Sequence, residues 1–294
     1  MADTRGVFAL QEIIPIKLEE EWVLLSDVWI GPSPFIATPP NTGYFGGGGS
    51  GSSGSVTMDK TTFASDTTLA VPGANLTSAR LAFAATGNST NGYFGGGFPT
   101  TATINKVTYA SDTTAAAPGA NLSFARYGPG ATGNSTSGYF GGGNGPYSTM
   151  DKVTYATDTT AAVPGANLSI ARYVPTATGN STNGYFGGGA STGPIDYATM
   201  DKVTYASDTT AAVPGANLSV ARWLLAATGN TTNGYFGGGF IPGYSTMDKV
   251  TYATDTTVAV PGAALSGVRY GLAASSARAN ALPTTTTSTL PNIV

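Results

Sequence analysis

Apolar residues in most of the chain come in short runs of β-forming side chains, such as Val153-Thr154-Tyr155, separated by turn-forming residues. An Asp side chain can form a hydrogen bond with the backbone two residues further along, so Ser111-Asp112-Thr113-Thr114 predicts a turn. Gly133-Asn134-Ser135 predicts a second turn. No part of this region has the 3.6-residue period of an amphipathic helix. The pattern therefore predicts short strands joined by tight turns.

This pattern repeats along the chain. The motif Gly-Tyr-Phe-Gly-Gly-Gly begins at Gly43, Gly92, Gly138, Gly184 and Gly234, with spacings of 49, 46, 46 and 50 residues. A fixed period in this range indicates a solenoid, a propeller or an array. Each copy holds four candidate strands, which is the size of a propeller blade. Pro118 and Pro164 favour an outermost position for their strand, because proline cannot donate to a sheet ladder.

The order of motifs within a copy resembles the kelch repeat. In that family an Arg opens the innermost strand, an aromatic residue and a Gly-Gly doublet close the second, and a Tyr-bearing third strand precedes an outermost fourth. Arg126-Tyr127-Gly128, Gly138-Tyr139-Phe140-Gly141-Gly142 and Val153-Thr154-Tyr155 match in that order. The family's Trp in the fourth strand is absent, and the glycine run is a triplet. The resemblance covers residues 43–282 and implies a β-propeller.

Counting from the Arg gives four complete copies, which begin at Arg80, Arg126, Arg172 and Arg222. Strands two to four of another copy lie at 43–76, and a lone first strand lies at 269–281. We therefore predict an all-β fold: a five-bladed kelch-like β-propeller with about four strands per blade. A composite blade, made of the C-terminal first strand and the N-terminal strands, closes it and removes open edges. The alternative closing strand is 35–38 (Phe-Ile-Ala-Thr), which lacks the Arg.

The N-terminal segment has a different composition, and we divide the chain into a docking segment at 1–33, the propeller at 34–282 and a Thr/Pro-rich tail at 283–294. Pro15 and three consecutive Glu interrupt the apolar segment, so no run reaches the roughly 18 residues of a membrane span. No signal peptide is visible, which predicts synthesis in the cytoplasm. The apolar side chains of the N-terminal segment need to pack on the propeller, on sibling chains or on another protein. The predicted docking residues are Val7, Phe8, Leu10, Ile13, Ile14, Ile16, Leu18, Trp22, Leu25 and Trp29.

Composition narrows the function classes. Of the 294 residues, 10% are charged and 41 are Gly, with no Cys and no His; an ordinary domain has about 25% charged residues and about 7% Gly. Most hydrolase, protease and zinc chemistry is excluded, because the usual general base, the thiolate and the commonest metal ligand are missing. The net charge of −3 has the wrong sign for a nucleic-acid partner. The first 30 residues carry six acidic and two basic side chains, and the rest of the chain carries ten acidic and eleven basic side chains.

Near-identical copies predict a scaffold rather than a catalytic centre, because catalysis needs different residues in different roles. Asp151 and Asp158 lie about 23 Å apart along an extended strand, too far for a glycosidase pair, so we interpret them as turn and strand-end groups. No phosphate-binding Gly-Lys-Ser/Thr and no calcium loop are present, and we expect no cofactor and no metal. The repeated Arg predicts a structural ring bonded to loop carbonyls, with anion binding as the alternative: Arg80, Arg126, Arg172, Arg222 and Arg269.

Variation between copies concentrates in the loop after each glycine triplet, at 49–57, 98–104, 144–149, 190–199 and 240–246. Aromatic residues on short, proline-stiffened loops supply contact area at low entropic cost and stack on sugars or on proteins. In a four-stranded meander these loops and the loop from the fourth strand to the next first strand emerge on one face, and Trp223, directly after Arg222, lies near that face. The predicted binding residues of this loop face are Phe98, Pro99, Tyr147, Asp196, Tyr197, Trp223, Phe240, Ile241 and Tyr244; the alternative is that the loops only connect strands.

The whole chain is similar to structural proteins of tailed phages, especially those that infect cyanobacteria, in its Arg5-Gly6-Val7-Phe8 leader, its nearly uncharged Gly/Thr/Ala body and its tail at 283–291. The resemblance implies a non-enzymatic, oligomeric virion protein: a tail fibre, spike or decoration subunit. Its N-terminal segment would attach to other virion proteins, and its propeller loops would face a host surface glycan or a neighbouring subunit, with no nucleic acid and no membrane insertion. The alternatives are a glycan-active or glycan-binding propeller and a cellular kelch-type interaction adaptor.

Overall fold

A computed structural model describes residues 42–49, 53–193, 195–240 and 242–274 of the chain. Within these ranges the protein is built from short β-strands and one-turn 3₁₀ helices. The strands are β1 (Thr42–Gly46), β2 (Met58–Thr62), β3 (Thr67–Ala70), β4 (Ala84–Gly87), β5 (Asn91–Gly95), β6 (Ile104–Thr108), β7 (Thr113–Ala116), β8 (Gly130–Gly133), β9 (Ser137–Gly141), β10 (Met150–Thr154), β11 (Thr159–Ala162), β12 (Thr176–Gly179), β13 (Asn183–Gly187), β14 (Met200–Thr204), β15 (Thr209–Ala212), β16 (Ala226–Gly229), β17 (Asn233–Gly237), β18 (Met247–Thr251) and β19 (Thr256–Ala259). The 3₁₀ helices are Pro72–Ala74, Pro118–Ala120, Pro164–Ala166, Pro214–Ala216 and Pro261–Ala263.

The strands form five antiparallel sheets in chain order, one for each sequence repeat. Blade 1 contains β1 to β3, and blades 2, 3, 4 and 5 contain β4 to β7, β8 to β11, β12 to β15 and β16 to β19. The first strands of blades 2 to 5 pack against one another in succession. The protein is therefore an all-β, five-bladed propeller, as the sequence predicts.

The second strand of each blade explains the Gly-Tyr-Phe-Gly motif, because its Tyr and its Phe point to opposite faces of the sheet. Tyr139 in β9 stacks on Tyr205 of the following blade, with ring centroids 4.9 Å apart. Phe140 reaches the preceding blade, where a Cβ added to Gly95 would lie 3.0 Å from its ring. Tyr139 and Phe140 are both fully buried, so the hydrophobic core lies between the blades.

The fourth strand of blades 2 to 5 is the outermost one, as the prolines predict. The prolines themselves lie just beyond it. Pro118 follows β7 and opens the 3₁₀ helix Pro118–Ala120, where its missing N–H costs no hydrogen bond.

The closing strand of the composite blade stays a prediction. The described residues of blade 1 form three strands, and residues 269–274 have no regular structure. Most of the predicted strand at 269–281, the alternative at 35–38, the docking segment and the tail lie outside the described residues.

Candidate functional site

The repeated arginines are structural in blades 2 to 5, where each has an exposure of 1% or less. Arg126 donates from Nη1 to the carbonyls of Gly142 and Thr149, both at 3.0 Å, and from Nη2 to Asp151 at 2.6 Å. Burial lowers the pKa of Arg126, and the charge of Asp151 partly opposes that shift. Arg126 thus bonds to loop carbonyls as expected, and each of the four guanidinium groups also bonds to the Asp or Asn in the third strand of its own blade. Their Nε atoms have no hydrogen-bond partner among the described residues.

The aspartate partners of these arginines correct the interpretation of Asp151 as a strand-end group. Asp151 lies within β10, fully buried, and Asp201 and Asp248 hold the same position beside Arg172 and Arg222. In blade 2 the position is Asn105, which accepts from Arg80. A sequence signal existed: the Asp of Met-Asp-Lys recurs with the Arg in four of the five copies.

Arg269 departs from this pattern and corrects the expectation of five equivalent arginines. Its side chain is exposed. The one hydrogen bond of the Arg269 side chain within the described ranges is a long one, from Nη2 to Ser266 Oγ at 3.4 Å.

The charged groups of the outer turns form a repeated inter-blade cluster of one Tyr, one Lys and one Asp. In the cluster between blades 2 and 3, Asp158 accepts from the Tyr93 hydroxyl at 2.5 Å and from Lys106 Nζ at 2.7 Å. Burial alone would raise the pKa of Asp158, but the hydrogen bonds from Lys106 and Tyr93 outweigh it and leave the pKa below its usual value. The other clusters are Tyr44, Lys60 and Asp112; Tyr139, Lys152 and Asp208; and Tyr185, Lys202 and Asp255.

A band of aromatic side chains follows the loop face, and we call it the aromatic band. Trp223 meets Tyr173 edge-on at 5.5 Å and Phe240 at 5.7 Å between ring centroids. Phe240 in turn lies 4.5 Å from Tyr270, which is 54% exposed. A second pair, Phe98 and Tyr127, has centroids 5.8 Å apart. The members of the band are Phe98, Tyr127, Tyr173, Trp223, Phe240 and Tyr270.

Backbone pairing positions this band. In blades 2, 4 and 5 the residue after the Arg forms a β-bridge with the residue after the glycine triplet: Leu81 with Phe98, Tyr173 with Ala190 and Trp223 with Phe240. The next residue in each repeat adopts a left-handed conformation, with φ of +50° at Val174. That conformation is strained for a β-branched residue, so the tertiary structure imposes the turn that presents the aromatic rings.

Sequence reasoning found Phe98, Trp223 and Phe240 but missed Tyr127, Tyr173 and Tyr270. These three follow Arg126, Arg172 and Arg269 directly, at the same repeat position as Trp223. Comparing that position across all copies would have found them.

The three loop tyrosines Tyr147, Tyr197 and Tyr244 share a different repeat position and do not join the aromatic band. Their carbonyls accept from the N–H groups of Arg172, Arg222 and Arg269. Tyr147 packs edge-on against Phe124, with centroids 4.7 Å apart. These tyrosines therefore connect blades. Pro99 is exposed beside Phe98, and Ile241 lies outside the described residues.

Asp196 lies next to the aromatic band. Its backbone bridges to Ala190, and its side chain is half-buried. Burial raises the pKa of Asp196. Burial also raises the pKa of Tyr173, and the charge of Asp196 adds to that shift. The band thus has a carboxylate at one side.

The part of the chain that the structure describes holds no cluster of three acidic side chains that could bind a metal ion. It also holds no helix long and apolar enough to cross a membrane. The predicted docking residues between Val7 and Trp29 lie outside this part.

Comparison with known proteins gives no match to a protein family and no significant match to a curated protein sequence. The resemblance to kelch repeats and to phage structural proteins stays a prediction from the residues quoted above.

Proposed function

We propose that this protein is a non-enzymatic structural protein of a tailed phage particle, whose loop face contacts a host surface or a neighbouring subunit. The observation that carries the proposal is the aromatic band. Tyr173, Trp223, Phe240 and Tyr270 form a continuous series of ring contacts on a face made of loops and turns. Aromatic residues of this kind dominate the energetics of binding surfaces.

The use of charged side chains supports a binding role over catalysis. Asp151, Asp201 and Asp248 are paired with buried arginines, and four further Asp residues are paired with lysines of a neighbouring blade. A carboxylate that already holds a structural partner is not available as a general acid or base. The N-terminal segment then supplies attachment to the particle, through the apolar residues between Val7 and Trp29.

The direct test is the composition of the particle. Mass spectrometry of purified virions produced from the genome that encodes the chain is expected to detect it at a fixed stoichiometric ratio to the major structural proteins. A variant lacking residues 1–30 is expected to fold, as judged by circular dichroism, and to be absent from the particles. Incorporation of this shortened variant would contradict the docking role of the segment.

Glycan binding is the second candidate, because Asp196 and Tyr173, a member of the aromatic band, both form a β-bridge with Ala190. Aromatic faces stack on sugar rings, and a carboxylate accepts hydrogen bonds from their hydroxyl groups. The full-length protein would be applied to a glycan array beside two variants. Trp223→Ala is expected to lower binding at least tenfold, whereas Leu69→Ala, at a 71% exposed residue of the outer strand β3, is expected to leave it unchanged. Equal signals from the two variants would remove the aromatic band from the interaction.

A further inference from the structure

The inter-blade clusters of the described residues show how this chain binds an ammonium group. Lys106 Nζ lies 2.7 Å from a carboxylate oxygen of Asp158 and 5.8 Å from the centroid of the Tyr93 ring. In the other three clusters the Lys lies 2.8 Å from the Asp and 5.7 to 5.9 Å from the centroid of the Tyr ring. The carboxylate pairs with the positive charge, and the face of the aromatic ring attracts it through the ring quadrupole. An Asp beside a Tyr is therefore an ammonium-binding unit in this protein.

Blade 4 brings the same two side-chain types together on the loop face. Ala190 forms a β-bridge with Tyr173 and a second β-bridge with Asp196. Residues directly opposite one another on paired strands project their side chains to the same face, so the phenol ring and the carboxylate flank Ala190, which is 2% exposed. The N–H of Ser191 donates to the Ile195 carbonyl at 2.9 Å and holds the second bridge in place. The position of the carboxylate is thus fixed by the backbone.

Asp196 differs from the other aspartates of blades 2 to 5 because no described Lys or Arg pairs with it. The other aspartates of these blades each form an ion pair: Asp112, Asp151, Asp158, Asp201, Asp208, Asp248 and Asp255. The Asp196 carboxylate also accepts no hydrogen bond within the described ranges, although its side chain is half-buried. Its charge is therefore available to a ligand.

The acid at this position is particular to blade 4. Asp196 stands four residues before Met200, the first residue of β14. The equivalent residues of the other blades are Gly54, Thr100, Pro146 and Gly243. The repeat therefore does not need a carboxylate here, and a half-buried charge without a structural partner costs desolvation energy. Both facts indicate a use outside the fold.

Neighbouring rings enlarge the unit that Asp196 and Tyr173 form. Trp223 meets the Tyr173 ring edge-on, with centroids 5.5 Å apart and ring planes at 64°. Tyr127 lies within electrostatic range, because it adds to the rise in the pKa of Tyr173 after burial and Asp196. All three rings are half-buried and keep an accessible part. Aromatic rings at steep angles beside a carboxylate suit an organic ammonium ion.

An anionic ligand would find no cationic partner beside Asp196 within the part of the chain that the structure describes. The guanidinium groups of blades 2 to 5 are buried and bonded inside their own blades. The exposed Arg269 directly precedes Tyr270, at the opposite end of the series of ring contacts, beyond Phe240. The charge around Asp196 therefore complements a cation.

We propose that Asp196, Tyr173 and Trp223 bind an organic ammonium group, and that this group belongs to an amino sugar of a host surface glycan. The assignment rests on the proposed binding role of the loop face and names the chemical group that this face recognises. The ring contacts continue from Trp223 through Phe240 to Tyr270. This surface lets further sugar rings stack, whereas a single Lys side chain of a protein would leave it uncovered.

Two probes that differ only in charge test the assignment in the full-length protein. They are the β-1,4-linked tetrasaccharide of glucosamine and its fully N-acetylated form, titrated by calorimetry at about pH 6, between the ordinary pKa values of a carboxylate and an amine. The free amine form is expected to bind about tenfold more tightly than the acetylated form, because only the former carries ammonium groups.

Three variants assign that preference to the proposed residues. Asp196→Asn keeps the size of the side chain and is expected to abolish the preference for the amine form without weakening the acetylated form. Asp66→Asn makes the same change of charge at an exposed outer turn of blade 1 and is expected to change neither affinity. Trp223→Ala is expected to weaken both forms, because it removes a stacking surface. Circular dichroism checks that each variant folds.

Each contrary result has a distinct meaning. A preference that survives in Asp196→Asn, or equal affinities of the two probes for the unmodified protein, would overturn the ammonium assignment; if Trp223→Ala still weakened both probes, the loop face would remain a binding surface. Binding of neither tetrasaccharide would overturn the amino-sugar assignment. In that case Asp196-dependent binding of N-acetyl-lysine methylamide would assign the site to a Lys of a protein partner.

Salt dependence covers the case in which Asp196→Asn does not fold. The affinity of the unmodified protein for the amine form is expected to fall as the salt concentration rises to about 0.5 M, because the ions screen the charge pair. The affinity for the acetylated form is expected to stay constant. The same salt response for both probes would contradict an ion pair at Asp196.

Discussion

At the scale of single residues, the buried pair of Arg and Asp is the main charged contact inside blades 3, 4 and 5. Both side chains of the Arg126 and Asp151 pair have 0% exposure, and Arg126 has two backbone carbonyls as further acceptors. Two buried charges gain little net stability from each other, because desolvation offsets their attraction. Removing one of them is costly, since the other is left uncompensated.

The comparison of blades 2 and 3 gives a prediction with an internal control. Asp151→Ala is expected to lower the free energy of unfolding by about 3–5 kcal/mol, measured by urea denaturation, because the charge of Arg126 loses its partner. Asp151→Asn is expected to cost clearly less. It reproduces the pairing of Arg80 with Asn105, whose amide also donates to Thr77 Oγ1 at 2.9 Å. Equal costs for the two substitutions would contradict this account.

At the scale of the strand, the second strand of each of blades 2, 3 and 4 holds two neighbouring blades together. Its Tyr crosses to the following blade and its Phe to the preceding one, and the Gly after the Phe leaves space for the next blade's Phe ring. The outer strands add a further contact, because Thr160 in β11 donates to the carbonyl of Ala120 in the preceding blade at 2.5 Å. The blades are therefore linked by side chains and by single backbone hydrogen bonds, such as that from Arg172 N–H to the Tyr147 carbonyl at 3.1 Å, rather than by a continuous sheet ladder.

The hydroxyl of the crossing Tyr gives a prediction for the blade interface. Tyr139→Phe is expected to cost about 1.5–3 kcal/mol, because the hydroxyl donates to an ionised carboxylate, that of Asp208. Tyr147→Phe is the control, since the Tyr147 hydroxyl makes no hydrogen bond within the described ranges, and its cost is expected to stay within about 0.5 kcal/mol. Chemical denaturation measures the free energy of unfolding of both variants. A similar loss of stability in the two would contradict a stabilising role of the Tyr139 hydroxyl.

At the scale of the whole molecule, the same titrating cluster of Tyr, Lys and Asp recurs four times between neighbouring blades within the described residues, so small effects add around the propeller. Hydrogen bonds from Lys and Tyr leave the pKa values of Asp112 and Asp158 below their usual value despite burial. Burial, and then the hydrogen bond to Asp, raises the pKa values of Tyr44, Tyr93, Tyr139 and Tyr185 above their ordinary range.

These shifts predict a stability profile with two limits. The Asp contribution is present above the unfolded pKa of about 4 and is lost as the pH falls through the lower folded value. The Tyr contribution is present below the unfolded pKa of about 10 and is lost as the pH rises towards the higher folded value. The melting temperature is therefore expected to be highest between about pH 5 and 9 and to fall on both sides. A constant melting temperature from neutral pH to about pH 11 would show that the tyrosines do not stabilise the fold.

The sequence by itself determined the repeat, the all-β class, the number of blades and the outermost position of the fourth strand, because tandem copies display turn chemistry and strand periodicity directly. It also identified Trp223 and Phe240, since variation between copies marks positions that the scaffold leaves free. Only the tertiary structure decided which distant side chains meet. The pairing of Arg126 with Asp151, the crossing of Tyr93 to Asp158 and the contact of Phe240 with Tyr270 join groups 25, 65 and 30 residues apart. Such contacts depend on how sheets pack face to face, which the local sequence pattern does not encode.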